Sequence, residues 1–191
     1  MAEMGSDYGC CEMFLFRNIT NTEVLHAAVL EGKVQCAMIK PSLVAHPLQV
    51  AVATKKALMA AKRVGNASKT DLKNKGMITK SIFTEILYNL APTKNIAESL
   101  KTFGLSKDDK NILVVLIKEQ TQATENQLHQ KDLLNIINGD LVSQLMDTEQ
   151  GLPSLTNWEF ISKVYKLKSV TPNTTDIIDI LVSRAATKDV M

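Results

Sequence analysis

The 191-residue sequence lacks any apolar run close to the roughly 20 residues that a membrane-spanning helix requires. Its first eleven residues also lack the basic start and apolar segment of a secretory signal. Hydrophobic residues still make up 45% of the chain, which is ordinary for a globular protein and too high for a disordered one. We therefore expect a soluble intracellular protein with one domain over residues 12–191, after a flexible terminus over residues 1–11.

Cysteine is scarce, and its spacing excludes the usual frameworks. Cys10 and Cys11 are adjacent and Cys36 stands alone, so the sequence offers no framework of an even number of paired cysteines. The sequence contains no CxxC pair, and its three histidines are scattered, whereas a zinc site needs ligands in closely spaced pairs. We expect no metal and no cofactor.

The common catalytic signatures are also missing, because the sequence contains no GxxxxGK, GxGxxG or GxSxG motif. Asp108 and Asp109 follow Ser106 in a predicted turn, where aspartate favours turn and cap geometry. His46 precedes a proline-started helix, where a cap or packing role is more common than that of a catalytic base. Nothing in the sequence indicates catalysis, and we expect a protein that is not an enzyme.

The stretch from Glu85 to Lys118 carries the clearest structural pattern. Apolar residues recur every three or four positions up to Leu90, which predicts an amphipathic helix that ends near Pro92. Asn95, with Glu98 three residues later, predicts the start of a second helix, and Gly104 is expected to end it in the left-handed conformation. The valine-rich run Ile112–Ile117 then predicts a strand that is buried on both faces.

The flanking sequence supplies further elements on both sides of this stretch. Met13–Phe16 and Val34–Ile39 predict strands, whereas the periodicity of Leu141–Met146 does not decide between strand and helix. Helices are predicted after the caps Thr20 or Asn21, from Pro47, from Leu133, after Thr156 or Asn157, and after Thr174 or Thr175. The expected fold class is α/β (α+β), a single domain with a small mixed or antiparallel sheet covered by several helices.

Positive charge is concentrated in one region, although the whole chain carries only +2. Eight lysines and arginines lie between Lys55 and Lys80, where Asp71 is the only acid. Such an imbalance attracts phosphates, although a solvated helix face followed by a flexible basic loop at about residues 65–77 would give the same pattern. Aromatic residues are few, at 5% of the chain, so the sequence does not indicate base stacking.

Several segments resemble the PRPK-binding protein family, known as TPRKB in animals, which supplies a small accessory subunit of the KEOPS (EKC) complex. The most similar segment is NLAPTKNIAESLKTFGLSKDDKNILVVLI at Asn89–Ile117. Others are MFLFRNITNTEVLHAAVLEG at Met13–Gly32, KPSLVAHPLQVAVATKKAL at Lys40–Leu58, KVYKL at Lys163–Leu167 and TKDVM at Thr187–Met191. The resemblance covers nearly the whole chain after its first dozen residues.

The resemblance implies a non-catalytic protein in the cytoplasm and nucleus. Its expected partners are the small atypical kinase subunit of KEOPS (PRPK), other KEOPS subunits through that kinase, and tRNA, with no membrane. The implied role is to regulate the kinase and to hold the 3′ CCA end of tRNA for threonylcarbamoyladenosine modification.

Two groups of residues are candidates for these contacts. Phosphate contacts are expected from the basic residues near helices, namely Lys55, Lys56, Lys62, Arg63, Lys94 and Lys101. Kinase contact is expected on the C-terminal helices, whose apolar residues exceed the needs of one core-facing stripe, at Ile161, Tyr165, Ile178 and Leu181.

Two other functions remain open at this point. An enzyme acting on a phosphorylated small molecule would hold phosphate with the basic region and use His46 as base. A structural scaffold would bind protein without any RNA contact.

Overall fold

An antiparallel sheet lies at the centre of the computed structural model, which describes residues 6–66, 76–117, 130–167 and 174–188. Its strands are β1 (Ser6–Asp7), β2 (Cys11–Arg17), β3 (Ala37–Ile39), β4 (Ile112–Ile117) and β5 (Asp140–Leu141). The order is β1-β2-β4-β3, and β5 pairs with the end of β2. This confirms the α+β class and decides between the two predicted sheet types in favour of the antiparallel one.

The helices alternate irregularly with these strands along the chain. They are α1 (Thr22–Leu30), α2 (Pro47–Asn66), α3 (Ile82–Leu90), α4 (Ile96–Phe103), α5 (Gln130–Ile136), α6 (Leu152–Leu155), α7 (Trp158–Val164) and α8 (Thr174–Thr187), with a 3-10 turn at Pro41–Leu43. Prolines at the starts of α2 and α6 suit positions where the backbone N–H has no helical partner.

Strand β4 is buried on both faces, as its apolar sequence predicts. Leu113 and Val115 face one apolar core, and Ile112, Val114 and Leu116 face the other. The first core is the larger and contains residues of α2, α3, α4, α6, α7 and α8. The second contains Leu25 of α1 and Ile137 after α5. The sheet therefore separates a thick helical layer from a thin one.

Local hydrogen bonds explain where several helices begin. The side chain of Asn95 accepts from the N–H of Glu98 at 3.2 Å, which confirms the predicted cap of α4. Asn157 accepts from the N–H of Phe160 at 2.9 Å and caps α7 in the same way. Asn21 precedes α1, but among the described residues its side chain accepts no hydrogen bond from the first turn of that helix. Its amide instead donates to the carbonyl of Ile136 at 2.8 Å, which joins α1 to the end of α5.

Gly104 ends α4, but the predicted left-handed conformation is wrong. Its φ is −76° and its ψ is 165°, which is extended backbone. A Cβ atom at this position would lie 2.5 Å from the carbonyl oxygen of Leu100 and 3.1 Å from a methyl group of Leu87. The glycine also forms an antiparallel bridge with Ile39, so close approach rather than helix termination requires it.

Two predicted boundaries differ from the structure, which also describes one stretch that the sequence left open between strand and helix. The terminus is not untethered up to Cys11, because β1 pairs with β2 from Ser6 onward. Strand β3 covers only the end of Val34–Ile39, and of Leu141–Met146 only Leu141 is in a strand. Residues 67–75 of the predicted basic loop lie outside the described residues.

Candidate functional site

The basic residues of α2 form the first candidate surface. Lys55, Lys62 and Arg63 are exposed. Lys55 and Lys62 are seven residues apart, so they lie on the same side of the helix, about 10 Å apart along its axis. We call these three residues the α2 basic surface. Its three cations give this face of the helix a positive local potential.

Lys56 does not belong to this surface, so its predicted contact with phosphate is corrected. Its ammonium nitrogen is buried, whereas the neighbouring Lys55 is exposed. Lys56 lies three residues after Ala53, which is fully buried in the larger core, so the two side chains share the inward face of α2. An ion in solution cannot reach that nitrogen without a local rearrangement.

Lys94 and Lys101 are both exposed, but they belong to different places. Lys94 lies in the turn between α3 and α4. Lys101, on α4, lines an apolar groove of about 430 Å³ together with Met38 of β3 and with His26 and Leu30 of α1. Helices α2 and α4 both pack against α3, so the six predicted residues do not form one continuous cluster along a single element.

Three of the four predicted kinase contacts are buried, which corrects their assignment. Ile161, Tyr165 and Leu181 expose 0%, 1% and 0% of their surface because they pack in the larger core. The extra apolar residues of α7 and α8 are therefore used inside the protein. Ile178 is half-buried against the same core and is the only one of the four that retains appreciable exposure.

Tyr165 has a structural function that its sequence position does not show. Its hydroxyl donates to the carbonyl of Leu90 at 2.6 Å and accepts from the side-chain amide of Gln49 at 2.9 Å. Its ring meets that of Phe103 edge to face, with centroids 6.2 Å apart. Burial raises the pKa of Tyr165 well above its usual value, which keeps the donating hydroxyl protonated.

Other apolar side chains of the C-terminal helices do reach the surface. Trp158 and Phe160 of α7 are each 37% exposed, and Ile180 of α8 is 39% exposed. Large aromatic and aliphatic residues of this kind supply anchors in protein interfaces. We call Trp158, Phe160, Ile178 and Ile180 the C-terminal apolar residues.

A solvent-open cavity of about 520 Å³ was not predicted from the sequence. It lies between the α3–α4 turn, α4, the end of α7, and α8, and its basic lining residues are Lys163, Lys166 and Arg184. We call this cavity the basic pocket. Both of its lining lysines lie in KVYKL, a segment noted above for its family resemblance and for Tyr165, so that short basic and aromatic motif was the available signal.

The residues considered for catalysis have structural contacts. Nδ1 of His46 accepts from the N–H of Leu48 at 3.2 Å, in the first turn of α2. A carboxylate oxygen of Asp109 accepts from the N–H of Ser106 at 2.6 Å, which confirms the predicted turn. Within the described ranges, no three histidine, cysteine or acidic side chains are grouped to hold a metal ion.

Cys36 is a buried free thiol. Burial raises the pKa of the Cys36 thiol to about 12, so this cysteine is protonated and unreactive at neutral pH. Among the residues that the structure describes, no helix is long and apolar enough to cross a membrane.

The described residues form an α+β protein that carries exposed basic residues on α2, exposed apolar residues on α7 and α8, and a solvent-open pocket lined by three cations. The family model described as kinase binding protein CGI-121 matches residues 16–189. The chain therefore belongs to the CGI-121 kinase-binding family.

Similar proteins come from animals and fungi. The chain is 32% identical over 176 residues to the EKC/KEOPS complex subunit TPRKB of Danio rerio, which covers 92% of this chain and 89% of that protein. It is 31% identical over 101 residues to the EKC/KEOPS complex subunit CGI121 of Candida albicans, covering 50% and 49%. The corresponding subunit of Schizosaccharomyces pombe is 26% identical over 161 residues, covering 83% of each chain.

Proposed function

We propose that this chain is a non-catalytic subunit of an EKC/KEOPS complex, acting in the cytoplasm and nucleus. It binds and regulates the small atypical kinase or ATPase subunit, and it helps to recruit tRNA by its 3′ CCA end for threonylcarbamoyladenosine modification. The observation that carries this proposal is the family match over residues 16–189, together with a relative of that complex that aligns over 92% of the chain.

The two activities are assigned to different surfaces. The α2 basic surface, with Lys94 and Lys101 as further cations, contacts tRNA phosphates, because exposed lysine and arginine supply most of the affinity for nucleic acid. The C-terminal apolar residues contact the kinase, because interface energy is concentrated in a few large anchors. Ile178 is retained from the sequence prediction, and the buried Ile161, Tyr165 and Leu181 are replaced by exposed neighbours.

The kinase contact is tested by comparing substitutions on the two sides of the sheet. We expect Ile180→Glu to weaken binding of the purified kinase subunit at least tenfold, or about 1.4 kcal/mol, because it places a charge within an apolar contact. Val24→Glu is the matched control, since Val24 is 68% exposed on α1, which packs on the other core. Affinity is measured by isothermal titration calorimetry, and circular dichroism verifies folding.

Three results would count against this assignment. Wild-type protein that does not bind the kinase subunit contradicts the proposed function itself. Unchanged binding by Ile180→Glu contradicts the chosen surface. Loss of binding only in Val24→Glu moves the contact to the thin helical layer.

A further inference from the structure

The basic pocket is separate from both surfaces used in the proposed function. Its wall is built by Pro92 and Thr93 of the α3–α4 turn, Thr102 of α4, the end of α7, and Arg184 of α8. Its volume of about 520 Å³ falls within the range of roughly 300 to 1,000 Å³ that small-molecule sites occupy. A cavity of this size is larger than a lone phosphate group requires.

The charge of the lining is positive. Lys163, Lys166 and Arg184 face one acid, Glu98, among the lining residues. A carboxylate oxygen of Glu98 accepts from the hydroxyl of Thr93 at 3.1 Å, so that acid already has a hydrogen-bond donor. Among the described residues, neither Lys163 nor Lys166 forms an ion pair, and both are exposed. The pocket therefore attracts anions.

The structure holds part of this wall in place. The guanidinium group of Arg184 donates to the carbonyl of Tyr165, which fixes its position at the end of α7 and offsets the negative end of that helix. Lys166 has a φ of +49°, which is uncommon for a residue other than glycine. The backbone N–H of Lys166 donates to the carbonyl of Lys163 at 3.3 Å, which closes the turn carrying the two lysines.

The remaining lining suits an uncharged portion of a ligand. Pro92, Phe103 and Val164 contribute apolar wall, and the hydroxyl of Thr102 can donate or accept a hydrogen bond. Arg184 neutralises the helix end, so the two lysines are available for an anionic group. Cations on one wall beside apolar and hydroxyl groups match a phosphate joined to a ring system.

We propose that the basic pocket binds a phosphorylated small molecule of mononucleotide size. Lys163 and Lys166 contact the phosphate, and Arg184 adds to the positive field while it holds the end of α7. This site uses none of the α2 basic surface or the C-terminal apolar residues, so it stands or falls independently of the proposed kinase and tRNA contacts.

The test is calorimetric titration of the full chain with adenosine monophosphate, with inorganic phosphate, with adenosine and with a tRNA 3′-terminal oligonucleotide. We expect saturable binding of the monophosphate, at least tenfold weaker binding of inorganic phosphate and of adenosine, and weakening with added salt. Lys163→Gln/Lys166→Gln should reduce affinity for the monophosphate at least tenfold. Lys107→Gln/Lys110→Gln removes the same charge near α1 and should leave the affinity for the monophosphate unchanged.

Each other outcome overturns the proposal. No binding of the monophosphate, or equal binding by wild type and the Lys163→Gln/Lys166→Gln variant, rules out the pocket. Equal affinity for inorganic phosphate shows a simple anion site, and binding of only a tRNA 3′-terminal oligonucleotide assigns the pocket to RNA. If the double variant fails to fold, Lys163→Gln alone, at an exposed helical position, gives the same comparison.

Discussion

Tyr165 joins three helical segments through one hydroxyl group. It follows α7, donates to the last residue of α3, and accepts from Gln49 in the first turn of α2. Gln49 is fully buried, and its own side-chain oxygen accepts from the N–H of Ala45 at 3.3 Å. The end of α3 and the start of α2 are thus connected through a small buried polar network, and such networks are costly to leave half satisfied.

We expect Tyr165→Phe to lower the free energy of unfolding by about 2 kcal/mol, because the carbonyl of Leu90 and the amide of Gln49 lose their partner in the core. Urea denaturation measures this difference. Tyr8→Phe is the control, because Tyr8 is only half-buried, and it should change stability by less than about 0.5 kcal/mol. Equal stability of Tyr165→Phe and wild type would show that the network contributes nothing.

Tyr165 also shows why three of the four residues predicted to contact the kinase are buried. The apolar residues of the last two helices outnumber those of one core-facing stripe, and this excess was attributed to an interface. In the structure the larger core takes residues from six helices, so it buries Ile161, Tyr165 and Leu181 as well. A count of apolar positions in one helix cannot reveal how many neighbours surround that helix.

Helix α4 contributes residues to both the basic pocket and the apolar groove. Glu98 and Thr102, four residues apart, line the basic pocket, whereas Leu100 and Lys101 line the apolar groove beside β3. The bridge between Gly104 and Ile39 then attaches the end of α4 to the sheet. The position of this short helix consequently determines the shape of both concavities.

Gly104 and Gly32 should respond differently to substitution. Gly104→Ala should cost about 2 kcal/mol, because the new methyl group meets the carbonyl oxygen of Leu100. Gly32→Ala should cost about 1 kcal/mol through its φ of +70°, since open space surrounds it. Asparagine tolerates the left-handed region, so Gly32→Asn should recover part of the loss and Gly104→Asn should not. If urea denaturation shows that Gly104→Asn is more stable than Gly104→Ala, the steric explanation is wrong.

Sequence patterns that act locally predicted the elements well. The caps Asn95 and Asn157 and the both-face burial of β4 depend on neighbouring residues and on the apolar run itself, and the structure confirms them. The conformation of Gly104, the pairing of Ser6–Asp7 with β2 and the inward direction of Lys56 depend on residues distant in sequence. The basic pocket likewise collects side chains from three separate stretches, which no single motif reveals.

The protein as a whole places its proposed contacts on the thick helical layer. Helices α2, α7 and α8 pack on the larger core and carry the α2 basic surface and the C-terminal apolar residues. The thin layer carries α1, and Nζ of Lys107 lies 3.5 Å from a carboxylate oxygen of Glu23 on that helix. Lysines at this place therefore provide controls on the other side of the sheet. This arrangement allows a tRNA effect and a general charge effect to be separated.

The proposed role is tested most directly by tRNA binding, measured by fluorescence anisotropy over a series of salt concentrations, with and without the kinase subunit. Intact tRNA should bind at least tenfold more tightly than tRNA lacking its CCA end. Lys62→Glu/Arg63→Glu should weaken binding at least tenfold and lower the slope of log affinity against log salt by about 1 to 2. Lys107→Glu/Lys110→Glu, with the same change in net charge, should leave the tRNA affinity and the salt slope nearly unchanged. Equal binding of intact and truncated tRNA, with the Lys62→Glu/Arg63→Glu variant matching wild type in affinity and slope, would contradict the proposed role.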